Sequence, residues 1–321
     1  MFKTVVAIKN YLYDTGRLRP VHSSAFVICV GNITWGGTGK TTLIIQMAQR
    51  LLNERYRVAV ISRGYRRKSS GLRVVSDGER IYGSWREAGD EPYLIAQSVP
   101  SAIVVVAKKR SEAFRFVQKY SPQIILLDDG FQHRRAGRDL DIVLIDASED
   151  LQKQRMIPFG KLREPISSLR RADAVVLTHS RNMLRSTERW LRNHIDVPYF
   201  RADYFSKQDW NGKKVAAFCG IGGPQHFFDL LKESGAKLLL EQSFHDHHIY
   251  SADELLELER EARIAGADAL VTTSKDAVRL PQNVLNLPLM VAEVDFRLDE
   301  EDEFYRWLQT KIQQRISLIN R

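Results

Sequence analysis

The chain has 321 residues, 44% of them apolar and 27% charged, which excludes a disordered protein and leaves room for about two folded domains. Its formal net charge of +9 points to an anionic partner: a nucleotide, nucleic acid, a phosphorylated metabolite or an anionic membrane surface. Two distant cysteines, Cys29 and Cys219, exclude a disulfide framework and carry no zinc-ligand spacing, and no run approaches the ~20 apolar residues that cross a bilayer.

The first segment, "MFKTVVAIKNYLYDTGRLRP", fails as a secretory signal because Lys9 and Asn10 break its apolar stretch. Phe2, Val5, Val6, Lys9, Tyr11 and Leu12 make a partly amphipathic helix followed by Arg17 and Arg19. Such a helix either docks on its own domain or lies on a membrane surface.

From residue 25 onward, short β-branched runs alternate with helical stretches. The expected strands are 25–30, 57–62, 102–107, 123–128, 141–146 and 173–178, with amphipathic helices at 41–53 and 111–120. Near-continuous apolar strands separated by helices predict a mostly parallel α/β sheet covered on both faces. A hairpin is expected at 72–83, turning at Asp77-Gly78.

"GNITWGGTGKTT" (31–42) joins the first strand to the first of these helices. It ends as a phosphate-binding loop does, although Thr34 stands where the strict pattern G-x-x-x-x-G-K-[ST] has glycine. Gly36, Gly37 and Gly39 would let backbone N–H groups wrap phosphate oxygens. Lys40 supplies a cation to the β/γ-phosphates, the helix N-terminus adds partial positive charge, and the Thr41 hydroxyl suits Mg²⁺. Asp128 and Asp129 end the strand at 123–128, where a carboxylate can hold Mg²⁺ beside the loop; the alternative is a solvated turn before Gly130.

Further charges stand at strand ends. Asp90 and Glu91 open a helix with Pro92 in its first turn, so Asp90 reads equally as an N-cap or as a functional acid. Arg110 follows the strand at 102–107, where arginine can stabilise phosphoryl charge or simply face solvent. "RGYRRK" (63–68) contains a single aromatic residue, so interleaved stacking and basic groups for nucleic acid are not expected.

The pattern weakens at 193–205, which sets an expected boundary near Val197: a P-loop domain at 1–197 and a smaller α/β domain at 198–321. In the second, strands are expected at 213–220, 237–243, 268–274 and 287–294, with helices from Pro224, Ser251 and Glu300. "HDHH" (245–248) lacks a second ligand cluster and is a poor metal site; one of its histidines could instead orient a catalytic carboxylate, the alternative being exposed loop histidines. "TTSKDAV" (272–278) lacks the asparagine of a guanine-reading motif, and Asp276 follows Lys275 directly, so GTP selectivity is not supported.

In order along the chain, "NYLYDTGRL", "VGNITWGGTGKT", "ISRGYRRKSSG", "EAGDEPYLIA", "LLDDGFQHRRAGRDLDIVLID", "PFGKLREP", "FCGIGGPQHFF", "FHDHH" and "TTSKDAVRL" resemble one family, the tetraacyldisaccharide 4′-kinases of Gram-negative lipid A biosynthesis. The likeness runs from about residue 10 to 280, and Thr34 fits that family's loop. It implies a P-loop kinase core with a smaller α/β domain, and ATP-dependent phosphorylation of the 4′-hydroxyl of a tetraacylated glucosamine disaccharide 1-phosphate to give lipid IVA. It also implies a peripheral protein on the cytoplasmic face of the inner membrane, with the N-terminal helix on the anionic surface.

Residue by residue, the resemblance implies nucleotide contacts from Thr34, Gly36, Gly37, Thr38, Gly39, Lys40, Thr41 and Thr42, and Mg²⁺ at Thr41, Asp128 and Asp129. Asp90 matches the base for the sugar hydroxyl, and His247, after Asp246, matches its partner. Lys40 and Arg110 match groups acting on the phosphoryl, and Gln132, His133, Arg163 and Glu164 match further active-site positions. The competing class is a P-loop ATPase acting as a motor, carrier or nucleic-acid-stimulated switch, which would share the loop and the acids.

Overall fold

The computed structural model describes residues 2–319. The chain forms two compact units, one of Met1–Asp203 with Arg297–Arg321, the other of Tyr204–Phe296. This departs from the expected 1–197 and 198–321. Residues 301–319 return to the first unit because their apolar face is buried there, not in the second: Phe304 and Leu308 are fully buried, and Phe304 meets Phe200 edge to face at 5.0 Å.

The first unit opens with α1 (Phe2–Asp14), β1 (Phe26–Asn32), α2 (Lys40–Asn53), β2 (Val58–Ser62) and β3 (Arg73–Asp77). There follow α3 (Trp85–Ala88), α4 (Asp90–Ser98), β4 (Ile103–Val106), α5 (Arg110–Val117), β5 (Ile124–Asp128), β6 (Leu140–Asp146), β7 (Ala174–Thr178) and α6 (Arg185–His194). β8 (Tyr199–Ser206) carries the chain into the second unit: β9 (Lys214–Cys219), α7 (Pro224–Glu233), β10 (Lys237–Ser243), α8 (Ala252–Ile264), β11 (Ala269–Thr273), α9 (Ser274–Ala277) and β12 (Leu289–Ala292). β13 (Val294–Leu298) brings it back, and α10 (Glu301–Ile319) completes the first unit.

Among the described residues, nine strands form one sheet in the order β13-β8-β7-β6-β1-β5-β2-β4-β3. Neighbours from β8 through to β4 run parallel, and β3 lies antiparallel to β4. The central strands are buried along their whole length, as the continuous apolar runs predict. Side chains alternate between the two faces, so Cys29, Ile61, Val105, Leu127 and Val143 share one core cluster with Phe114 of α5 and Phe131. α2 buries Leu43, Ile44, Met47, Ala48 and Leu51 at an i, i+1, i+4, i+5, i+8 spacing. Each of its larger side chains contributes about 1.5–3 kcal/mol. The expected hairpin forms only in part: its return arm makes one bridge, Ser76 to Ile81, while β3 pairs with β4 instead.

β1 stands between β5 and β6, so the strand order reverses around it, and ligands of open α/β sheets bind where it does. Register places Val30 beside Asp128, which puts the end of β5 next to the loop leaving β1. The second unit holds a parallel sheet in the order β10-β9-β11-β12. One core cluster joins Trp210, Val215, Ala217 and Val271 to Phe227, Phe228 and Leu231 of α7. Another joins Phe218, Tyr250 and Leu270 to Leu255, Leu258 and Ala262 of α8, whose start carries a Ser251/Glu254 capping box.

Candidate active site

The loop between β1 and α2 is shaped by two glycines with positive φ, Gly36 at 127° and Gly39 at 86°, a region side-chain-bearing residues avoid. A Cβ added at Gly36 or Gly37 would meet nothing within 4 Å, so the loop faces open space. Gly31 differs: its Cβ would lie 2.6 Å from Cβ of Phe131, which makes it a packing glycine. Gly39 is the N-cap of α2, and Lys40, Thr41 and Thr42 form its first turn, aiming backbone N–H groups and the helix dipole at that space.

The loop is braced from several sides. Thr34 is buried and bridges Leu162, the Trp35 N–H donates to the Lys161 carbonyl (2.7 Å), and the Arg163 N–H donates to the Ile33 carbonyl (2.8 Å). Inside it, Asn32 Nδ2 donates to Thr38 Oγ1 at 2.9 Å, and Asn32 Oδ1 accepts from Arg163. "PFGKLREP" therefore serves as the buttress of the phosphate loop.

The two acids after β5 have opposite environments. Asp129 takes a left-handed backbone, φ 51°, and both its oxygens accept from Arg163, at 2.8 and 2.6 Å, with Lys40 Nζ at 3.6 Å. Burial works against its charge, but Lys40, Arg163 and Arg110 outweigh it and hold the carboxyl far below its usual range. Asp128 is buried: Oδ2 accepts from Ser62 Oγ at 2.7 Å, and Oδ1 has no partner. Burial, Glu91 and Asp129 push it up to about 6. A buried carboxylate oxygen without a donor fits a cation. Thr41 Oγ1, now donating to Glu91 Oε1 at 3.2 Å, adds a second hard oxygen close by.

Arg110 opens α5 and is 3% exposed. Its Nη2 donates to the carbonyls of Asp128 (3.3 Å) and Asp129 (3.2 Å), while Nε and Nη1 are buried without partners. Burial pulls its pKa down, and the carboxylates of Asp129 and Asp128 oppose that pull. Unsatisfied guanidinium donors suit an incoming anion. Gln132 Nε2 donates to the Asn32 carbonyl at 2.7 Å, leaving Oε1 buried and unpaired. His133 is half-buried, and burial, Arg110 and Lys9 push it down to about 3, so its imidazole is neutral.

Asp90 is the first residue of α4 and is buried, with Gly89 (φ 94°) as the N-cap; the N-cap reading of Asp90 is thus corrected. Gly89 holds the non-helical φ 94°, ψ 149° that glycine tolerates, so the helix begins at Asp90, and its missing Cβ leaves room for Gly64, whose Cα would lie 3.1 Å from it. Asp90 Oδ1 accepts from the Glu91 N–H at 3.0 Å. Glu164 is buried and accepts from Arg171 Nη2 (2.5 Å) and Asn10 Nδ2 (3.2 Å), so it ties α1 to the first unit. His247 belongs to the second unit, in a turn where its N–H donates to the Gly220 carbonyl at 3.0 Å and Nε2 lies 3.8 Å from Asp246 Oδ2.

Contacts thus gather Lys40, Thr41, Arg110, Asp128, Asp129, Gln132 and Arg163 in the first unit. Sequence reasoning missed Asn32, Ser62 and Glu91. The Asp90-Glu91 pair was a usable signal for the last; nothing local marked the other two. Asp276, in the segment tested for guanine reading, is fully buried, which removes it from any base contact.

A phosphate loop between a buried strand and a helix, with an under-coordinated acid at the end of the neighbouring strand, defines a P-loop protein built for nucleoside triphosphate chemistry. The family described as "Tetraacyldisaccharide-1-P 4'-kinase" (LpxK) matches residues 1–313. The tetraacyldisaccharide 4′-kinase of Chlorobium phaeovibrioides is 39% identical over 298 residues, 87% of this chain and 84% of that protein. That of Desulfotalea psychrophila is 38% identical over 309 residues, 91% and 89% of the two chains. A crystal structure of LpxK from Aquifex aeolicus in complex with ATP shares 31% identity and a TM-score of 0.77, covering 97% of this chain and 96% of that one. The chain belongs to the tetraacyldisaccharide-1-P 4′-kinase family.

Proposed function

We propose that this 4′-kinase transfers the γ-phosphoryl of ATP, held by residues 34–42, to the 4′-hydroxyl of a tetraacyldisaccharide 1-phosphate, giving lipid IVA. The observation that carries the reading is the pairing of an open glycine cradle at Gly36 and Gly37 with the unpaired oxygen of buried Asp128. Thr41 and Asp128 would hold Mg²⁺, with Asp129 supporting them. Bound there, Mg²⁺ neutralises charge on the β- and γ-phosphates.

The chain's own residues do the remainder. Lys40, resting on Asp129, swings to the phosphates, and Asp129 keeps its charge through Arg163. Arg110 offers its buried Nε and Nη1 to the transferring phosphoryl group, where fixed donors stabilise developing charge. Thr34, Thr38 and Thr42 shape the loop, and Gln132 and His133 present an acceptor and a neutral ring beside it. Asp90 accepts the proton of the sugar hydroxyl and His247 supports that transfer. Arg163 and Glu164 act at one remove, Arg163 through Asp129 and Glu164 through α1.

A membrane surface on the cytoplasmic face of the inner membrane is the proposed setting. No helix among the described residues is long and apolar enough to cross a membrane. α1 is held by its polar side: Lys9 Nζ donates to the Gln132 carbonyl (2.6 Å), Arg134 Nη1 to the Asn10 carbonyl (3.0 Å), and Arg134 pairs with Asp14 (2.7 Å). Val5, Ile8 and Tyr11, spaced i, i+3, i+6, are 59%, 56% and 55% exposed. A helix that docks by polar groups and leaves its apolar stripe in water is suited to an anionic lipid surface.

The test is ATP-dependent labelling of a tetraacyldisaccharide 1-phosphate by purified protein in detergent micelles. A 4′-phosphorylated lipid is expected only with Mg²⁺ present. ATP hydrolysis at the same rate without the disaccharide, and no labelled lipid, would return the chain to the ATPase class.

A further inference from the structure

The stretch "TTSKDAVRL" (272–280) lies outside the phosphate cradle, yet it buries two opposite charges. Asp276 is 0% exposed and Arg279 3% exposed, and the two are ion-paired at i, i+3. Desolvating both groups is costly, and apolar residues of the same volume commonly stabilise a fold at least as well. The atoms that this pair holds supply another reason for its presence.

Asp276 Oδ1 accepts from the Gly220 N–H (2.9 Å) and from the Tyr250 hydroxyl (2.7 Å), while Thr273 Oγ1 donates to Oδ2 (2.6 Å). Arg279 Nη2 donates to the Gly220 carbonyl at 3.0 Å. One residue, Gly220, is therefore gripped at both its N–H and its carbonyl. The same carbonyl oxygen accepts the His247 N–H at 3.0 Å.

His247 has φ 61°, a left-handed backbone that is unfavourable for a residue with a side chain and persists only where its surroundings fix it. Two further bonds shape the turn, Phe244 N–H to the Cys219 carbonyl (2.8 Å) and His248 N–H to the His245 carbonyl (3.0 Å). The fit is close: a Cβ on Gly220 would lie 3.0 Å from both the His245 carbonyl oxygen and Cβ of His248.

We propose that the Asp276–Arg279 pair is a positioning device for His247, acting through the peptide groups of Gly220. The inference rests on the reading that His247 takes part in the acid–base step. Asp276 and Arg279 are both buried and act through the backbone from which the imidazole projects. A displacement of about 1 Å at such a group can cost about 10²-fold in rate.

The experiment compares Arg279→Met and Gly220→Ala in the full chain, each alone and combined with His247→Ala. Gly220 does not occupy the left-handed region, so alanine there adds only crowding and keeps the test open if the buried-charge variant does not fold. Expected is a kcat lower by about 10–100-fold, KM for ATP unchanged, and no further loss on the His247→Ala background. The ring resonance of His247 and its titration midpoint, read by NMR, should both move. Equal fractional losses with and without His247, or an unchanged kcat and ring resonance in folded variants, overturn the proposal. Should His247→Ala keep wild-type kcat, the catalytic reading fails by itself, and the His247 resonance still decides the positioning.

Discussion

Arg163 takes both carboxylate oxygens of Asp129, at 2.8 and 2.6 Å, and so separates the fates of two adjacent acids. Asp129 is locked as an anion, while Asp128 keeps a buried oxygen with no donor. Charge is thereby stored where a cation is needed.

That difference sets a pH dependence. The folded pKa of Asp128, about 6, lies above its ordinary 3.8, so its contribution to stability is present below about pH 4 and lost as pH rises through 6. Asp128→Asn should raise the Tm of metal-free protein by several degrees at pH 8 and hardly at all at pH 4. Mg²⁺ with a nucleotide should stabilise the wild type and lose most of that effect in the variant. Differential scanning fluorimetry at both pH values reads this; a Tm lowered by Asp128→Asn at pH 8 would show that the carboxylate is satisfied without a cation.

Lys40→Ala should lower kcat by at least about 10²-fold while the fold persists, because Asp129 retains Arg163 as its partner. Steady-state kinetics alongside thermal melts test it. Activity within a few-fold of wild type would remove Lys40 from the phosphates.

Asp90→Asn separates chemistry from helix structure more cleanly than an N-cap position would. Gly89 caps α4, and an asparagine Oδ1 can still accept the Glu91 N–H that Asp90 accepts at 3.0 Å. Stability should therefore stay within about 1 kcal/mol, while kcat falls by roughly 10²–10⁴-fold because an amide takes up no proton. Wild-type kcat in the folded variant would send the search for the base elsewhere.

Glutamates at Val5 and Ile8 should weaken co-sedimentation with anionic vesicles by about tenfold or more, leaving Tm and ATP binding in solution unchanged. Both side chains already face water, so the fold has little to lose. Undiminished vesicle binding would assign the contact to another surface.

His133 should contribute no limb to the pH–rate profile between pH 5 and 9. Burial, Arg110 and Lys9 hold its pKa near 3, so the ring stays neutral throughout that range. An NMR titration of its ring protons with a midpoint near 6.5 would contradict the environment described.

Strands covered on both faces were legible as uninterrupted apolar runs, which is why β1, β2 and β4 to β7 fall where the pattern predicts. β8 was not, because only three of its eight residues are buried and its sequence mixes Arg201 and Asp203 with aromatics. The run at 287–294 is divided: β12 pairs in the second sheet and β13 in the first, a switch that hydrophobicity alone does not mark. The phosphate loop was readable because its parts are consecutive. The braces around it were not, since Thr41 meets Glu91 50 positions on, Ser62 meets Asp128 66 on, and Arg163 reaches Asn32 across 131.

The return of α10 to the first unit has a consequence for synthesis. As the chain emerges, residues 26–206 deliver every strand of the phosphate-binding sheet except the edge strand β13, and the rest of the second unit, to Phe296, then appears before Phe304, Tyr305, Leu308 and Ile312 can be buried. Phe200, which Phe304 covers, stays uncovered until then. The second unit, contiguous in sequence, can fold while its host is incomplete. Nascent chains arrested before residue 300 accordingly leave the apolar face around Phe200 open to chaperones, and release of the last helix, which brings Phe304 and Trp307 over it, ends that exposure.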